Sequence, residues 1–156
     1  FPGRKGTLTN GGTHVPLIVS RPDTVPAKVH NDLIDFSDFL PTFCEIANSS
    51  TDGLTLDGNS FLPQLHGETG NPREFVYCWY NRDMEPGKTQ VTARNQRYKL
   101  YNGGKFYDVP NDLQEKQPLG TNSLTPEQVA IKGELQDVLD HYEQFDRLAQ
   151  VIDGRQ

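Results

Sequence analysis

The sequence contains little of what a self-contained active site usually needs. Its 156 residues include two cysteines, too few for a disulfide framework or a zinc site, and four histidines that follow no metal-ligand spacing. The nucleophile-elbow, H-E-x-x-H and C-x-x-C patterns are all absent. These absences exclude a serine hydrolase site built on a nucleophile elbow, a zinc metalloprotease site built on H-E-x-x-H, and a redox site built on C-x-x-C.

Long apolar runs and excess positive charge are also missing. No stretch approaches the roughly 20 residues of a membrane-spanning helix, so no membrane partner is expected. The net charge of −6 argues against a nucleic acid partner. Residues 1–12 are polar and glycine-rich, unlike a secretion signal, so we expect the chain to begin inside a longer protein. The low hydrophobic content of 34% suits a loop-rich domain, or a piece that buries one side against another domain.

The first half of the chain is expected to contain one strand and two helices. After the glycine-rich loop, the apolar run His14–Ser20 is typical of a buried strand. Asp38 is the expected N-cap of a helix that Asn48 can close. A short second helix is predicted over Ser60–His66.

The second half is predicted to be an antiparallel sheet followed by a long helix. Short aromatic and β-branched runs indicate three or four strands, over Glu74–Tyr80, Val91–Ala93, Arg97–Tyr101 and Lys105–Asp108. Asn102–Gly104 is a good hairpin turn. Thr125 and Gln128 form an N-terminal capping box. The helix after them carries one apolar stripe, expected to pack on the sheet, of Ile131, Leu135, Val138, Leu139, Tyr142 and Phe145. The fold class is therefore α+β.

Lys5 is the one residue whose immediate context suggests chemistry. It lies in a glycine-rich loop that leads into the predicted strand, where backbone N–H groups could help it to bind an anion. The segment fails the Walker phosphate-loop pattern, which needs Gly directly before Lys and Ser or Thr directly after it. From the residues alone, a flexible terminal lysine is the alternative.

Five segments resemble motifs of the sulfatase family, and they occur in the family's order. Gly3–Pro16 resembles G-x-K-G-T-x-x-E-G-G-x-x-V-P, and Asp38–Ala47 is similar to the helix D-L-x-P-T-L-L-E-L-A. Leu56–Gly67 resembles L-D-G-x-S-L-L-P-L-L-x-G. Arg97–Leu100 and Phe106–Asp112 resemble the C-terminal R-Y-K-L and L-Y-D-L-x-x-D-P pair. Each motif is weak alone, but the five together are specific.

The resemblance implies the C-terminal part of an arylsulfatase-like enzyme with a fold related to alkaline phosphatase. Residues 1–48 would be the last strand and helix of the large catalytic α/β domain. Residues 49–72 would be a linker with a short helix, and residues 73–146 the C-terminal subdomain of sheet and helix. Residues 147–156 would form a tail.

The resemblance also implies where the catalytic groups lie. Lys5 matches the lysine that contacts the substrate sulfate and offsets charge on the departing sulfuryl oxygens. The family's nucleophile is a formylglycine made from the first residue of C-x-P-x-R, a pattern that neither Cys44 nor Cys78 matches. The formylglycine and the calcium ligands are therefore expected upstream in the full-length protein, and no cofactor or metal ligand is expected in this chain.

Two positions depart from the family pattern, and three others are candidates for the substrate cleft. Asn10 stands where the family usually has Glu, and His14 where Arg is common, which puts the support of the lysine loop in doubt. His14 is a candidate substrate contact, with a structural role as the alternative. Trp79, Tyr80 and Arg82 could line the mouth of the cleft. The alternative is a core aromatic pair followed by a turn.

The resemblance implies that the full-length protein hydrolyses sulfate esters, while this chain alone is inactive. The substrate would be a sulfated small molecule or carbohydrate, and the missing N-terminal catalytic domain would be a partner. One alternative is a phosphate or phosphonate ester hydrolase of the same superfamily. Another is a non-catalytic binding or assembly module, whose exposed face would promote self-association. The family also implies an exported (periplasmic or secreted) or lysosomal protein.

Overall fold

The computed structural model describes residues 3–143, which form two compact units. One unit combines residues 3–15 with residues 77–143, and the other is Pro16–Val76. The domain boundaries inferred above concern the full-length protein and stay predictions, and the expected tail lies outside the described residues. None of the described helices is long and apolar enough to cross a membrane.

A four-stranded antiparallel sheet dominates the first unit, with the strands in sequence order. The strands are β1 (Val76–Tyr80), β2 (Gln90–Arg94), β3 (Tyr98–Tyr101) and β4 (Phe106–Asp108). The predicted hairpin turn joins β3 to β4, where the Gly104 N–H donates to the Tyr101 carbonyl over 2.8 Å. Gly104 has a φ of +80°, which glycine adopts without steric cost. The prediction of a small antiparallel sheet is confirmed.

The long C-terminal helix packs on this sheet. The helices of the first unit are α1 (Asn10–Thr13) and α4 (Pro126–Glu143). The predicted capping box is present, because the Thr125 N–H donates to the Gln128 side chain over 2.9 Å and the Gln128 N–H donates to Thr125 Oγ1 over 3.2 Å. Helix α4 contacts β2 and β3, as its apolar stripe predicts, although Phe145 lies outside the described residues. Buried apolar core residues of the unit are Leu8, Ala93, Leu100, Phe106, Leu135 and Leu139.

The second unit is organised around one buried carboxylate. Its helices are α2 (Phe39–Ile46) and α3 (Leu62–Leu65). The Asp38 carboxylate accepts hydrogen bonds from the backbone N–H groups of Asp35, at 2.7 Å, and Asn59, at 2.8 Å. It also pairs with the Arg73 guanidinium at 2.5 Å. Asn48, with a φ of +51°, ends the helix as predicted.

The predicted cap of α2 is only partly right. Asp38 does precede the helix, but its side chain makes no capping bond to α2. A 3₁₀ turn over Phe36–Asp38 comes first, and Asp35 caps that turn by accepting from the Ser37 N–H. The first turn of the helix therefore continues an existing helical turn, which leaves the Asp38 carboxylate available for more distant partners.

The predicted strand over His14–Ser20 does not form. A strand needs a neighbour for its backbone hydrogen bonds, and none of the described segments pairs with residues 15–20. Its apolar side chains are consequently exposed, Ile18 by 85% and Val15 by 65%. The segment is apolar, but no described part of the chain covers it, so the prediction of a buried strand is wrong.

Candidate functional site: the Lys5 loop

Lys5 lies exposed in a closed loop, residues 4–12, which we call the Lys5 loop. The Arg4 N–H donates to the Gly11 carbonyl over 2.7 Å and so joins the two ends of the loop. The Thr7 hydroxyl donates to the Arg4 carbonyl over 2.9 Å. These bonds flank Lys5 on both sides, so its backbone is held while its side chain is free to reach outwards.

Two glycines allow this conformation. Gly6 has a φ of +83°, a backbone conformation that residues other than glycine rarely adopt. A methyl group on Gly12 would lie 2.0 Å from the Thr7 carbonyl oxygen, so the chain could not pass there with any side chain. The glycine-rich character of the sequence therefore reflects two specific backbone requirements of the Lys5 loop.

Buried ionic groups from the sheet unit hold the far side of the Lys5 loop. The Lys99 ammonium donates to the Leu8 carbonyl over 2.8 Å and to the Glu115 carboxylate over 2.8 Å. The same Glu115 oxygen accepts from the Asn10 N–H over 2.5 Å. The Lys99 and Glu115 side chains are each 1% exposed, so water does not compete for these bonds.

Two further residues complete what we call the buried polar cluster: Asn10, Arg94, Lys99, Tyr101 and Glu115. The Tyr101 hydroxyl donates to the second Glu115 oxygen over 2.5 Å. The Arg94 guanidinium donates to the Asn10 side-chain oxygen over 2.7 Å. Every ionic group in the cluster therefore has a partner, as buried charges require.

Burial dominates the electrostatics of the cluster. It lowers the pKa of Lys99, an effect that the hydrogen bond to Glu115 partly offsets. It raises the pKa of Tyr101, and the bond to the Glu115 carboxylate raises that pKa further, so the phenol stays protonated. Burial also lowers the pKa of Arg94, which nevertheless keeps its charge because a guanidinium is so basic.

Tyr80 is the candidate cleft residue that the structure brings to the Lys5 loop. A methyl group on Gly6 would lie 3.2 Å from the Tyr80 hydroxyl oxygen, so this hydroxyl is next to the backbone that follows Lys5. Tyr80 is the last residue of β1 and is half-buried. A phenol, like a lysine ammonium, can donate a hydrogen bond to an oxyanion.

The other candidate residues are placed as follows. His14 is exposed directly after α1, and its backbone N–H donates to the Asn10 carbonyl over 2.9 Å. Trp79 lies on β1 with its indole N–H buried and without an acceptor among the described residues. Arg82 is exposed, with 77% of its side chain accessible and Asp83 at 3.8 Å. The substrate-binding roles of these residues stay predictions.

Residues 3–143 contain no group of three or more His, Cys, Asp or Glu side chains that could hold a metal ion. The calcium and the formylglycine implied by the family resemblance stay predictions for the full-length protein.

Sequence analysis missed the residues that support the Lys5 loop. In the sequence, Lys99 stands out only as part of the R-Y-K-L motif. A lysine within a run of apolar strand residues is nevertheless a signal for a buried, paired ammonium. Glu115 left no such signal, because it lies in an irregular segment far from the loop in sequence. Only the fold brings it to Asn10.

Comparison with known proteins identifies the class. The family model described as "N-sulphoglucosamine sulphohydrolase, C-terminal" matches residues 5–144. The sheet, the helix packed on it and Lys5 all lie within the matched residues, and the fold is that of the C-terminal domain of the sulfatase family, in the alkaline-phosphatase superfamily. The chain belongs to the N-sulphoglucosamine sulphohydrolase C-terminal family.

Individual relatives agree with this assignment. The ulvan-active sulfatase of Formosa agariphila is 39% identical over 102 residues, which are 61% of this chain and 20% of that protein. The solved structure of a 2-O GAG sulfatase matches with 26% identity and a TM-score of 0.51, over 67% of this chain and 23% of that one.

A further structure shows the same fold. It was solved in complex with its substrate D-glucosamine-2-N,6-O-disulfate, and it matches with 22% identity and a TM-score of 0.56, over 71% of this chain and 25% of that one. The chain thus spans about a fifth to a quarter of the length of these relatives.

Proposed function

We propose that the full-length protein hydrolyses sulfate esters of a carbohydrate, and that this chain supplies the lysine that contacts the sulfate. The observation that carries the proposal is the Lys5 loop, which presents an exposed ammonium from a backbone held on both sides. The family description names an N-sulfated glucosamine, in which the sulfur is bound to nitrogen, and so supports a sulfated carbohydrate as the substrate rather than the ester linkage itself.

The proposed role of Lys5 is electrostatic. As the sulfur–oxygen bond of the ester breaks, negative charge is redistributed over the sulfuryl and leaving oxygens. A cation fixed beforehand beside those oxygens stabilises the transition state without reorganising. The Tyr80 hydroxyl, which lies next to Gly6, would donate a second hydrogen bond to the same group.

The remaining groups would come from the rest of the protein. We propose that the formylglycine and calcium are held by an N-terminal catalytic domain and that this chain alone does not turn over substrate. The exposed apolar side chains of the Pro16–Val76 unit, such as Ile18 and Phe36, would pack against that domain. Such an enzyme would be exported to a periplasm or the medium, or act in a lysosome, as the family implies.

The first prediction tests Lys5 directly. In the full-length protein, we expect Lys5→Ala to lower kcat for an aryl sulfate or sulfated glucosamine about 10²–10³-fold, the usual loss when one transition-state donor is removed. Lys5→Arg should lose less, because it keeps the charge. Lys105→Ala, which removes an exposed lysine of the β3–β4 hairpin, is the matched control and should leave kcat unchanged.

The same assays discriminate the alternatives. Turnover of an aryl phosphate or phosphonate in preference to the sulfate would favour the ester hydrolases of the same superfamily. Turnover by the isolated 156-residue chain would contradict the proposal that the active site is divided between this chain and an N-terminal catalytic domain. No turnover of any of these esters by the full-length protein would favour a non-catalytic module.

A further inference from the structure

We propose that Glu115 and Lys99 are positioning residues for Lys5, an inference that rests on the proposed function. They hold the Leu8–Asn10 segment against the sheet and so fix the direction in which Lys5 points. The Glu115 carboxylate, which comes from the C-terminal part of the chain, accepts a hydrogen bond from the Asn10 backbone N–H.

The first step is that the contacts go to the backbone of the Lys5 loop. Lys99 binds the Leu8 carbonyl at 2.8 Å, and Glu115 binds the Asn10 N–H at 2.5 Å. Backbone contacts on two nearby residues fix the path of the chain rather than the rotamer of one side chain. Leu8 and Asn10 are each 4% exposed, so this part of the loop is fully packed.

The second step connects this segment to Lys5. The Thr7 hydroxyl donates to the Arg4 carbonyl, so in the 2.8 Å contact between the Thr7 and Thr9 hydroxyls it is Thr9 that donates. This chain of hydrogen bonds, together with the bond from the Arg4 N–H to the Gly11 carbonyl, connects the packed segment to Arg4, the residue before Lys5. A shift of residues 8–10 therefore moves Lys5, and a shift of about 1 Å in a catalytic group can cost roughly 100-fold in rate.

The third step is that Glu115 is held in an unfavourable conformation. Its φ is +53°, a region disfavoured for residues other than glycine. Such conformations persist where the surroundings fix them, and they concentrate at functional sites. The three hydrogen bonds that Glu115 accepts, from Asn10, Lys99 and Tyr101, account for its being held.

The test uses a double variant that keeps the fold. Glu115→Gln alone would leave the Lys99 ammonium buried without its counter-charge, so we combine it with Lys99→Met. The two changes together remove both charges and keep the side-chain volumes similar. In the full-length protein we expect kcat to fall about 10–100-fold with little change in KM, because Lys5 is displaced rather than lost. Amide hydrogen exchange of residues 5–10 should accelerate at least about tenfold.

The control is a second, more exposed ion pair directly before β3 and at the end of β4. Arg97 and Asp108 pair at 2.8 Å without touching the Lys5 loop, so Arg97→Met with Asp108→Asn should leave both kcat and loop exchange unchanged. The decisive readout is coupling to Lys5→Ala. In that background the Glu115/Lys99 change should cost almost nothing further, because the group it positions has been removed.

The outcomes separate the two proposals. Suppose that Lys5→Ala lowers kcat strongly, and that the Glu115/Lys99 double change lowers kcat by the same factor in the Lys5→Ala background as in the wild type. The positioning role is then overturned, and the role of Lys5 stands. Unchanged loop exchange in the double variant would also overturn the positioning role. If Lys5→Ala is neutral, the proposed function of Lys5 fails, and the positioning role fails with it.

Discussion

Asp38 shows how one side chain can serve several elements. Its side chain is 3% exposed, and burial alone would raise the pKa of its carboxyl. The hydrogen bonds from Arg73, Asp35 and Asn59 outweigh burial, so the pKa lies below the ordinary value. The stability that these bonds contribute is therefore present above the unfolded pKa of about 3.9 and is lost as the pH falls through the folded pKa.

The residue-scale prediction removes the partner of Asp38. We expect Arg73→Met to lower the free energy of unfolding by about 3–5 kcal/mol, because it leaves a buried carboxylate without its counter-charge. The pKa of Asp38, followed by NMR titration, should rise above its ordinary value. Lys88→Met removes the exposed partner of Glu85 and should cost at most about 1 kcal/mol. Equal losses for the two variants would contradict the central role given to Asp38.

The sequence identified elements best where local chemistry decides the structure. The capping box of Thr125 and Gln128 and the β3–β4 turn at Gly104 depend on neighbouring residues only, and both formed as predicted. The strand over His14–Ser20 failed because pairing depends on a distant segment, which an apolar pattern cannot supply. The cap of α2 was partly misassigned because Asp35 and Asp38 are both good caps three residues apart.

The element-scale prediction compares two glycines. Gly133 lies exposed within α4, and an added methyl group would contact nothing. Gly133→Ala should therefore raise the free energy of unfolding by about 0.5–1 kcal/mol through helix propensity and the entropy of the unfolded chain. At Gly58 a methyl group would lie 2.0 Å from the Ser37 carbonyl oxygen, so Gly58→Ala should be clearly destabilising. Urea unfolding measures both, and a destabilised Gly133→Ala would contradict the packing described for α4.

At the scale of the molecule, one unit leaves several of its large apolar side chains exposed. In Pro16–Val76, the side chains of Ile18, Val29 and Phe36 are more than four-fifths exposed, at 85%, 84% and 83%. Soluble monomers rarely leave large apolar patches open. The comparison with relatives offers a reason, since the chain spans only about a fifth to a quarter of their length.

The whole-molecule prediction follows from this exposure. We expect the isolated chain to self-associate at micromolar concentrations, and the double change Ile18→Ser with Phe36→Ser to reduce association. Val129→Ser, at an exposed position of α4 in the other unit, should leave association unchanged. Sedimentation velocity provides the measurement. A wild-type chain that remains monomeric at every concentration measured would argue against the proposal that another domain covers these apolar side chains in the full-length protein.

The candidate site was only partly visible in the sequence. Lys5 could be proposed from its motif, because the residues of that motif follow one another along the chain. Glu115 could not, because it meets Asn10 across 105 positions and Lys99 meets Leu8 across 91. Contacts of that range depend on the register of β3 and on the path of the segment after β4, which no local pattern specifies.

Those separations also set an order of events during synthesis. The N-terminal part of a chain leaves the ribosome first, yet the Lys5 loop cannot dock until Lys99 and Glu115 have emerged and the sheet has formed. The β3–β4 hairpin closes over only a few residues, whereas docking the loop closes about a hundred, which is slower. Within this chain, the lysine proposed to meet the sulfate is thus made well before Lys99 and Glu115, and its loop docks only after both of them. A product truncated before Glu115 could not complete the Lys5 loop.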